Sequence, residues 1–160
     1  MELKTVLVPV KGDKSDIDAL GLACDLVKHK KGRVIALYVI QVERRLPVDA
    51  EIETATAKGE DVLKHVEESV KEYKCNLEAE LLQAREIGPA VVQEALERGV
   101  EAIVMGIPYK RRYGSFSLGD DIPYILSHAP CRVILWREPM EENSKGGNLE
   151  ATYNMRNGDV

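Results

Sequence analysis

Four short apolar runs that carry β-branched residues, and a weaker fifth without them, divide this chain, and helix-period sequence fills most of the gaps between them. The runs are Thr5-Val6-Leu7-Val8-Pro9-Val10, Arg33 to Ile40, a weaker and partly alternating stretch from Leu77 to Ala84, Ala102-Ile103-Val104-Met105-Gly106, and Cys131 to Trp136. Strands that alternate with helices build βαβ units, which fold into a parallel sheet covered on both faces. After the first run, Ser15 with Asp18 three residues on reads as a variant capping box. Ile17, Leu20, Cys24 and Val27 then recur at helical spacing until Gly32 stops the helix. Residues 41–58 are polar and contain Pro47, which predicts a crossover loop, and a helix follows through Val62, Leu63, Val66, Val70 and Tyr73. Gly88-Pro89 opens a third helix, with Pro at its first position, where a missing N–H costs little. Its apolar face is Val91, Val92, Ala95 and Leu96. Residues 107–118 read as an irregular loop, and Ile122, Ile125, Leu126 and Ala129 form a short last helix.

The 160 residues suit one domain, expected over residues 1–138. From Pro139 to Val160 the chain is polar and aperiodic, a tail expected to be disordered. A hydrophobic content of 44% with 31% charged residues supports a packed core under a solvated surface. The net charge of −5 argues against general nucleic-acid binding, which needs a basic surface. No apolar run approaches the ~20 residues that span a bilayer, and the opening Met-Glu-Leu-Lys-Thr is not a signal peptide. Cys24, Cys75 and Cys131 are scattered and odd in number, so they are read as reduced thiols in a reducing, cytoplasmic compartment. The three His and three Cys have no metal-site spacing.

In a sheet of this kind ligands bind beyond the carboxyl ends of the strands, where strand order reverses. That directs attention to the loops after Val10, Val39 and Gly106. The first loop, Lys11-Gly12-Asp13-Lys14-Ser15-Asp16, offers backbone N–H groups and a helix dipole to an anion; as plain structure it is a turn and a cap. The loop after Met105 is long for a βα connection. Gly106 permits close approach of a ligand to the backbone, and Lys110, Arg111 and Arg112 are suited to phosphate; as plain structure this is a solvated basic loop. His29, His65 and His128 all read as helix-surface or helix-end residues, and no Ser-His-Asp or Cys-His set shares a location, so no catalytic residue is assigned.

The ordered set of a Val-Pro-Val strand, a Gly turn, an Ala-Leu helix, Leu37-Tyr38-Val39, Gly88-Pro89-Ala90, Ala102 to Gly106 and His128-Ala129-Pro130-Cys131-Arg132-Val133-Ile134 resembles the universal stress protein family over residues 3–136. The resemblance implies a single Rossmann-like α/β domain, a five-stranded parallel sheet in the order 3-2-1-4-5, and a homodimer. Members of that family divide into ATP binders and non-binders. The binders look like Gly-x2-Gly-x9-Gly-(Ser/Thr) after the fourth strand. Aligned without gaps from Ala129-Pro130-Cys131, this chain has Gly106-x2-Tyr109-x9-Gly119-Asp120. Lys11 replaces the binders' first-strand Asp, and Asp13 the Ser two places on, while Val39 on the adenine side and Met105 match.

A carboxylate facing a phosphate at ~4 Å costs roughly 4 kcal/mol at an effective dielectric near 20, on the order of a thousandfold in affinity. Asp120 or Asp121 also suits the cap of the last helix, so that a side chain takes the place phosphate has in relatives. Against this, Lys11 and the Lys110-Arg111-Arg112 run bring positive charge, and Gly114-Ser115-Phe116-Ser117 resembles a phosphate turn placed five residues early. Two readings stay open. One is a non-catalytic stress-response or regulatory protein with a degenerate nucleotide loop, dimeric through its fifth strand, Val133 to Trp136, because an apolar edge needs covering. The other is an adenine-nucleotide sensor taking ATP with Mg²⁺ through Val10, Lys11, Val39, Met105, Gly106, Tyr109, Arg111, Gly119, Asp120 and Asp121. Slow hydrolysis of nucleotide is a third, with no positioned base to support it.

Overall fold

A computed structural model describes residues 1–109, 111–112 and 115–140; the side chains of Arg111, Arg112 and Ser115 lie outside that description, as does the tail expected to be disordered beyond Met140. In chain order the elements are β1 (Thr5–Pro9), α1 (Lys14–Val27), β2 (Arg33–Gln41), α2 (Glu53–Ser69), β3 (Asn76–Ala84), α3 (Ile87–Glu97), β4 (Ala102–Ile107), the two-residue strands β5 (Arg111–Arg112) and β6 (Ser115–Phe116), α4 (Asp121–His128) and β7 (Arg132–Arg137). Five strands form one parallel sheet in the order β3-β2-β1-β4-β7. With β7 as the fifth strand of the sheet, this is the 3-2-1-4-5 order and the α/β class expected above. Among the described residues no helix is long and apolar enough to cross a membrane.

Side-chain alternation along the strands separates two apolar layers. Val6, Val8, Val34, Ala36, Ala102 and Val104 face one way, onto Leu20, Cys24 and Val27 of α1 and Leu63 and Val66 of α2. Leu7, Ile35, Leu37, Ile103 and Met105 face the other, onto Val91 and Ala95 of α3 and Ile122 and Ile125 of α4. The central strand β1 is buried on both faces, which is why it reads as a continuous apolar run rather than an alternation. Edge strand β3 alternates visibly because Leu77, Ala79 and Leu81 meet the first layer, whereas Glu78 and Glu80 turn toward Arg98 at the end of α3.

Several local expectations are corrected. α2 begins at Glu53, inside the stretch expected to be loop. Its first turns carry small residues because the helix lies close on the sheet: a Cβ on Gly59 would come within 2.6 Å of Leu81 and 2.8 Å of Tyr38. Such packing leaves no apolar periodicity to read. Pro89 is third in α3, not first, since Ile87 and Gly88 precede it; either place lies in the first turn, where the N–H has no partner within the helix. Leu96 and Leu126 are exposed rather than core-facing, at 60% and 48%. The loop after β4 is not wholly irregular, because Arg111–Arg112 pairs antiparallel with Ser115–Phe116.

The cysteine expectation is also overturned. Cys24 of α1 and Cys75, just before β3, form a disulfide with Cα atoms 5.6 Å apart; Cys131 is free. The partners lie 51 residues apart in sequence and meet where the last turns of α1 reach the chain entering β3. In the chain-entropy account, closing a loop of that size contributes about 4 kcal/mol.

On the α3 face, Arg98 binds Glu78 at 2.7 Å and Glu80 at 3.0 Å, and the buried Glu94 lies 3.8 Å from the same guanidinium. Burial, then a hydrogen bond with Glu80 and its charge, push the Glu94 carboxyl up to about 7; Arg98 pulls the other way. A folded-state value above the unfolded one means that the native state holds this proton more tightly. Stability from Glu94 is therefore present below about pH 4.5 and is lost as pH rises toward about 7. Denaturant unfolding should show roughly 1–3 kcal/mol less stability at pH 8 than at pH 5, and Glu94→Gln should flatten that slope; an equally steep slope in the variant would remove Glu94 as its source.

Candidate functional site

β1 and β4 pair only through Val6–Ala102 and Leu7–Ile103, although β1 continues to Pro9 and β4 to Ile107. The strands part at their carboxyl ends, and the connections leave in opposite directions from there, α1 on one face and α4 on the other. This is the switch point of a doubly wound sheet, the position where such folds take ligands. Here Pro9, Lys11, Met105 and Gly106, with Ile87 of α3 and Asp121 of α4, surround a cavity of about 20 Å³. That is room for one water, against the ~300–1,000 Å³ of typical small-molecule sites.

The β1–α1 turn explains part of the closure. α1 is capped at Asp13, not at Ser15 as the Ser15–Asp18 spacing suggested. The carboxylate that closes the turn belongs to Asp16, the third residue of the helix. It accepts the Gly12 N–H at 2.7 Å and the N–H groups of Lys11 and Asp13, each at 3.1 Å. The donors expected to face an anion thus already hold one from this chain. Asp16 is buried. Burial pushes its carboxyl group up from the ordinary aspartate range, the Gly12 and Lys11 N–H groups draw it back, and the charge of Asp13 adds a further push. Its signal in sequence was Asp13-x-x-Asp16 directly after Gly12, the same capping pattern two residues earlier.

A second carboxylate acts similarly across the crevice. Asp121 Oδ1 accepts the Gly88 N–H at 3.3 Å, at the N-terminus of α3. The side chain expected to cap α4 therefore reaches the neighbouring helix. Asp120 stands at the N-cap of α4 without a side-chain cap bond. Gly119 donates its N–H to Ser117 Oγ at 3.1 Å.

Gly106 has a structural reason other than ligand approach. A Cβ there would lie 2.2 Å from the carbonyl oxygen of Ser15, so the first turn of α1 rests directly on β4. Tyr109 stacks on Phe116 with ring centroids 5.9 Å apart, and the Arg137 guanidinium lies 4.9 Å over its ring. It thereby links the β5–β6 hairpin to the end of β7. Val10 and Val39 are buried core residues, Val10 packing with α1 and Val39 in the opposite layer. Met105 is buried and lines the small cavity. Arg111 is placed only as a strand residue opposite Phe116, and Lys110 and Gly114 lie outside the described residues. The structure thus gathers Lys11, Met105, Gly106 and Asp121 around one cavity, and sets Val10, Val39 and Tyr109 into packing roles. Ile87 and Gly88 join the site from α3, unmarked by any polar motif. Among the described residues, no cluster of three or more His, Cys, Asp or Glu is arranged to hold a metal ion.

Sheet order, a switch-point crevice and a turn after β1 that holds a carboxylate define a doubly wound α/β domain; the switch-point cavity is small, and a larger groove of about 580 Å³ opens on the α2 side of the same turn, past Gly12, Asp13 and Asp16. The sequence profile of the universal stress protein family matches residues 2–137, and the chain belongs to that family. Universal stress protein MJ0531 of Methanocaldococcus jannaschii is 24% identical over 145 residues, 87% of this chain and 85% of that one. A universal stress protein from Archaeoglobus fulgidus superimposes with a TM-score of 0.69 at 18% identity, covering 84% of this chain and 98% of its own. A structure of the Archaeoglobus fulgidus protein in complex with dAMP gives 0.65 at 17% identity, over 84% of this chain and 98% of its own.

Asp16→Ala leaves three N–H groups of the turn without their acceptor, which should cost about 1–3 kcal/mol. Sulfate at tens of millimolar should raise the unfolding midpoint of Asp16→Ala well beyond its effect on the wild type, as an anion enters the vacated turn. Equal effects on both proteins would show that the turn is no anion site.

Proposed function

We propose that this universal stress protein acts as a non-catalytic regulatory protein in the cytoplasm, with its nucleotide crevice held shut by its own carboxylates and with no resident ATP or Mg²⁺. The observation that carries this reading is Asp16, seated on the N–H groups of Lys11, Gly12 and Asp13. Asp121 on the α3 terminus supports it, as does a cavity sized for one water. Opening the site to a nucleotide would mean moving two carboxylates and the α1 turn that rests on Gly106. The working form is a homodimer paired through β7, where Val133 to Trp136 remain half-exposed and where, among the described residues, the sole strand neighbour is β4. A half-apolar edge with free backbone groups favours pairing with a second copy.

A second reading is favoured by one observation, the dAMP complex of a solved relative. In it, this chain binds an adenine nucleotide at the same crevice after the loop following β4 rearranges, with Lys11, Met105 and Gly106 beside the ligand. Calorimetric titration of ATP with Mg²⁺, and of dAMP, separates the two. The closed-crevice reading expects no saturable heat at millimolar nucleotide, together with a dimer in sedimentation at micromolar concentration. Saturable binding would establish the second reading, and a monomer would remove the dimer from the first.

A further inference from the structure

Away from the crevice, a groove of about 530 Å³ runs between the end of α1 and the start of β3, and both disulfide cysteines line it. Cys24 is buried and Cys75 half-exposed, so Cys75 is the partner that meets solvent in the groove. The charged residues along the groove are Lys28, Lys31 and Lys74, opposed by Asp25 and Glu72. Lys28 is one helical turn beyond Cys24, and Lys74 adjoins Cys75. Lys31 and Lys74 end matching single turns of 3₁₀ helix, Lys28–Lys30 and Lys71–Tyr73, and both hold left-handed backbones, with φ of 49° and 50°. These are the two non-glycine residues at positive φ among the described residues. Each caps its helical turn, donating its backbone N–H to the carbonyl of Lys28 or of Lys71, a common way for a helix to end.

We infer that this groove is a thiol–disulfide exchange site, through which a small anionic thiol opens and recloses the Cys24–Cys75 bond. The thiolate of the incoming molecule attacks the Cys75 sulfur. The Cys24–Cys75 bond breaks, and Cys24 leaves as a thiolate one helical turn before Lys28, which lines the same groove. The thiolate of a second small molecule attacks the outer sulfur of the mixed disulfide, forming the small-molecule disulfide and releasing Cys75 as a thiolate. Two small thiols are oxidised to one disulfide, the protein disulfide is reduced to two thiols, and the two protons pass to Cys24 and Cys75. Disulfides inside cells are usually of this exchangeable kind rather than permanent staples. Opening the bond removes the covalent closure around β2 and α2 and leaves every strand pair in place. The inference does not depend on whether the crevice takes nucleotide.

The test is the reduction rate of the intact oxidised protein, read by alkylation and intact mass, with 2-mercaptoethanesulfonate and with cationic cysteamine compared at equal thiolate concentration. The expected result is a rate first-order in thiol, severalfold faster for the sulfonate, with that preference lost in Lys74→Glu. The reduced protein should melt lower by on the order of 10 °C. A rate independent of thiol concentration and equal to that of global unfolding would overturn the inference, as would equal rates for the two thiols. Three alkylatable cysteines remaining after diamide treatment would overturn it as well.

Discussion

The seating of the Asp16 carboxylate on three consecutive backbone N–H groups sets where α1 begins, and much of the molecule follows from that point. The turn Lys11-Gly12-Asp13 presents donors that the helix cannot satisfy itself, and Asp16 gathers them at 2.7–3.1 Å. With its start fixed, α1 lays Ser15 against β4, where Gly106 admits its carbonyl, and sends Leu20, Cys24 and Val27 down the first apolar layer. The crevice between the parted ends of β1 and β4 is then nearly filled from one side by α1. From the other it is closed by Asp121, bound to the start of α3.

The same arrangement answers the electrostatic question raised by the altered loop. A buried carboxylate is costly unless it is hydrogen-bonded, and Asp16 meets that condition with groups that would otherwise attract a phosphate. Binding a phosphate in the same turn would place two anions on one set of donors, which costs several kcal/mol at contact distance. The turn thus keeps three convergent N–H donors and meets them with a carboxylate from the helix that follows.

Four of the five sheet strands were legible in the sequence because they carry β-branched residues close to Gly or Pro, signals that are local. The weakest, β3, was still placed, since one face meets the core and the other meets Arg98. The start of α2 was not legible, because close packing on Tyr38 and Leu81 selects Gly59 and other small residues rather than an apolar stripe. The Cys24–Cys75 pair was hidden for a different reason: nothing local links residues 51 apart, and only the folded path of α1 and β3 joins them. At the site, the substitutions at Lys11, Asp13, Tyr109 and Asp120 marked the altered region, but the side chains that close it are Asp16 and Asp121. Which carboxylate reaches which N–H depends on helix placement, and residue type at aligned positions does not carry that information.

In the closed-crevice reading Asp16 occupies the β1–α1 turn and does not exchange for phosphate. Amide resonances of Lys11, Gly12 and Asp13 in a ¹⁵N-labelled sample report this turn directly. During titration with millimolar ATP and Mg²⁺ they should stay in place, while acidification through the Asp16 titration should shift all three together. Saturable movement of these three amides with ATP at constant pH would contradict the account.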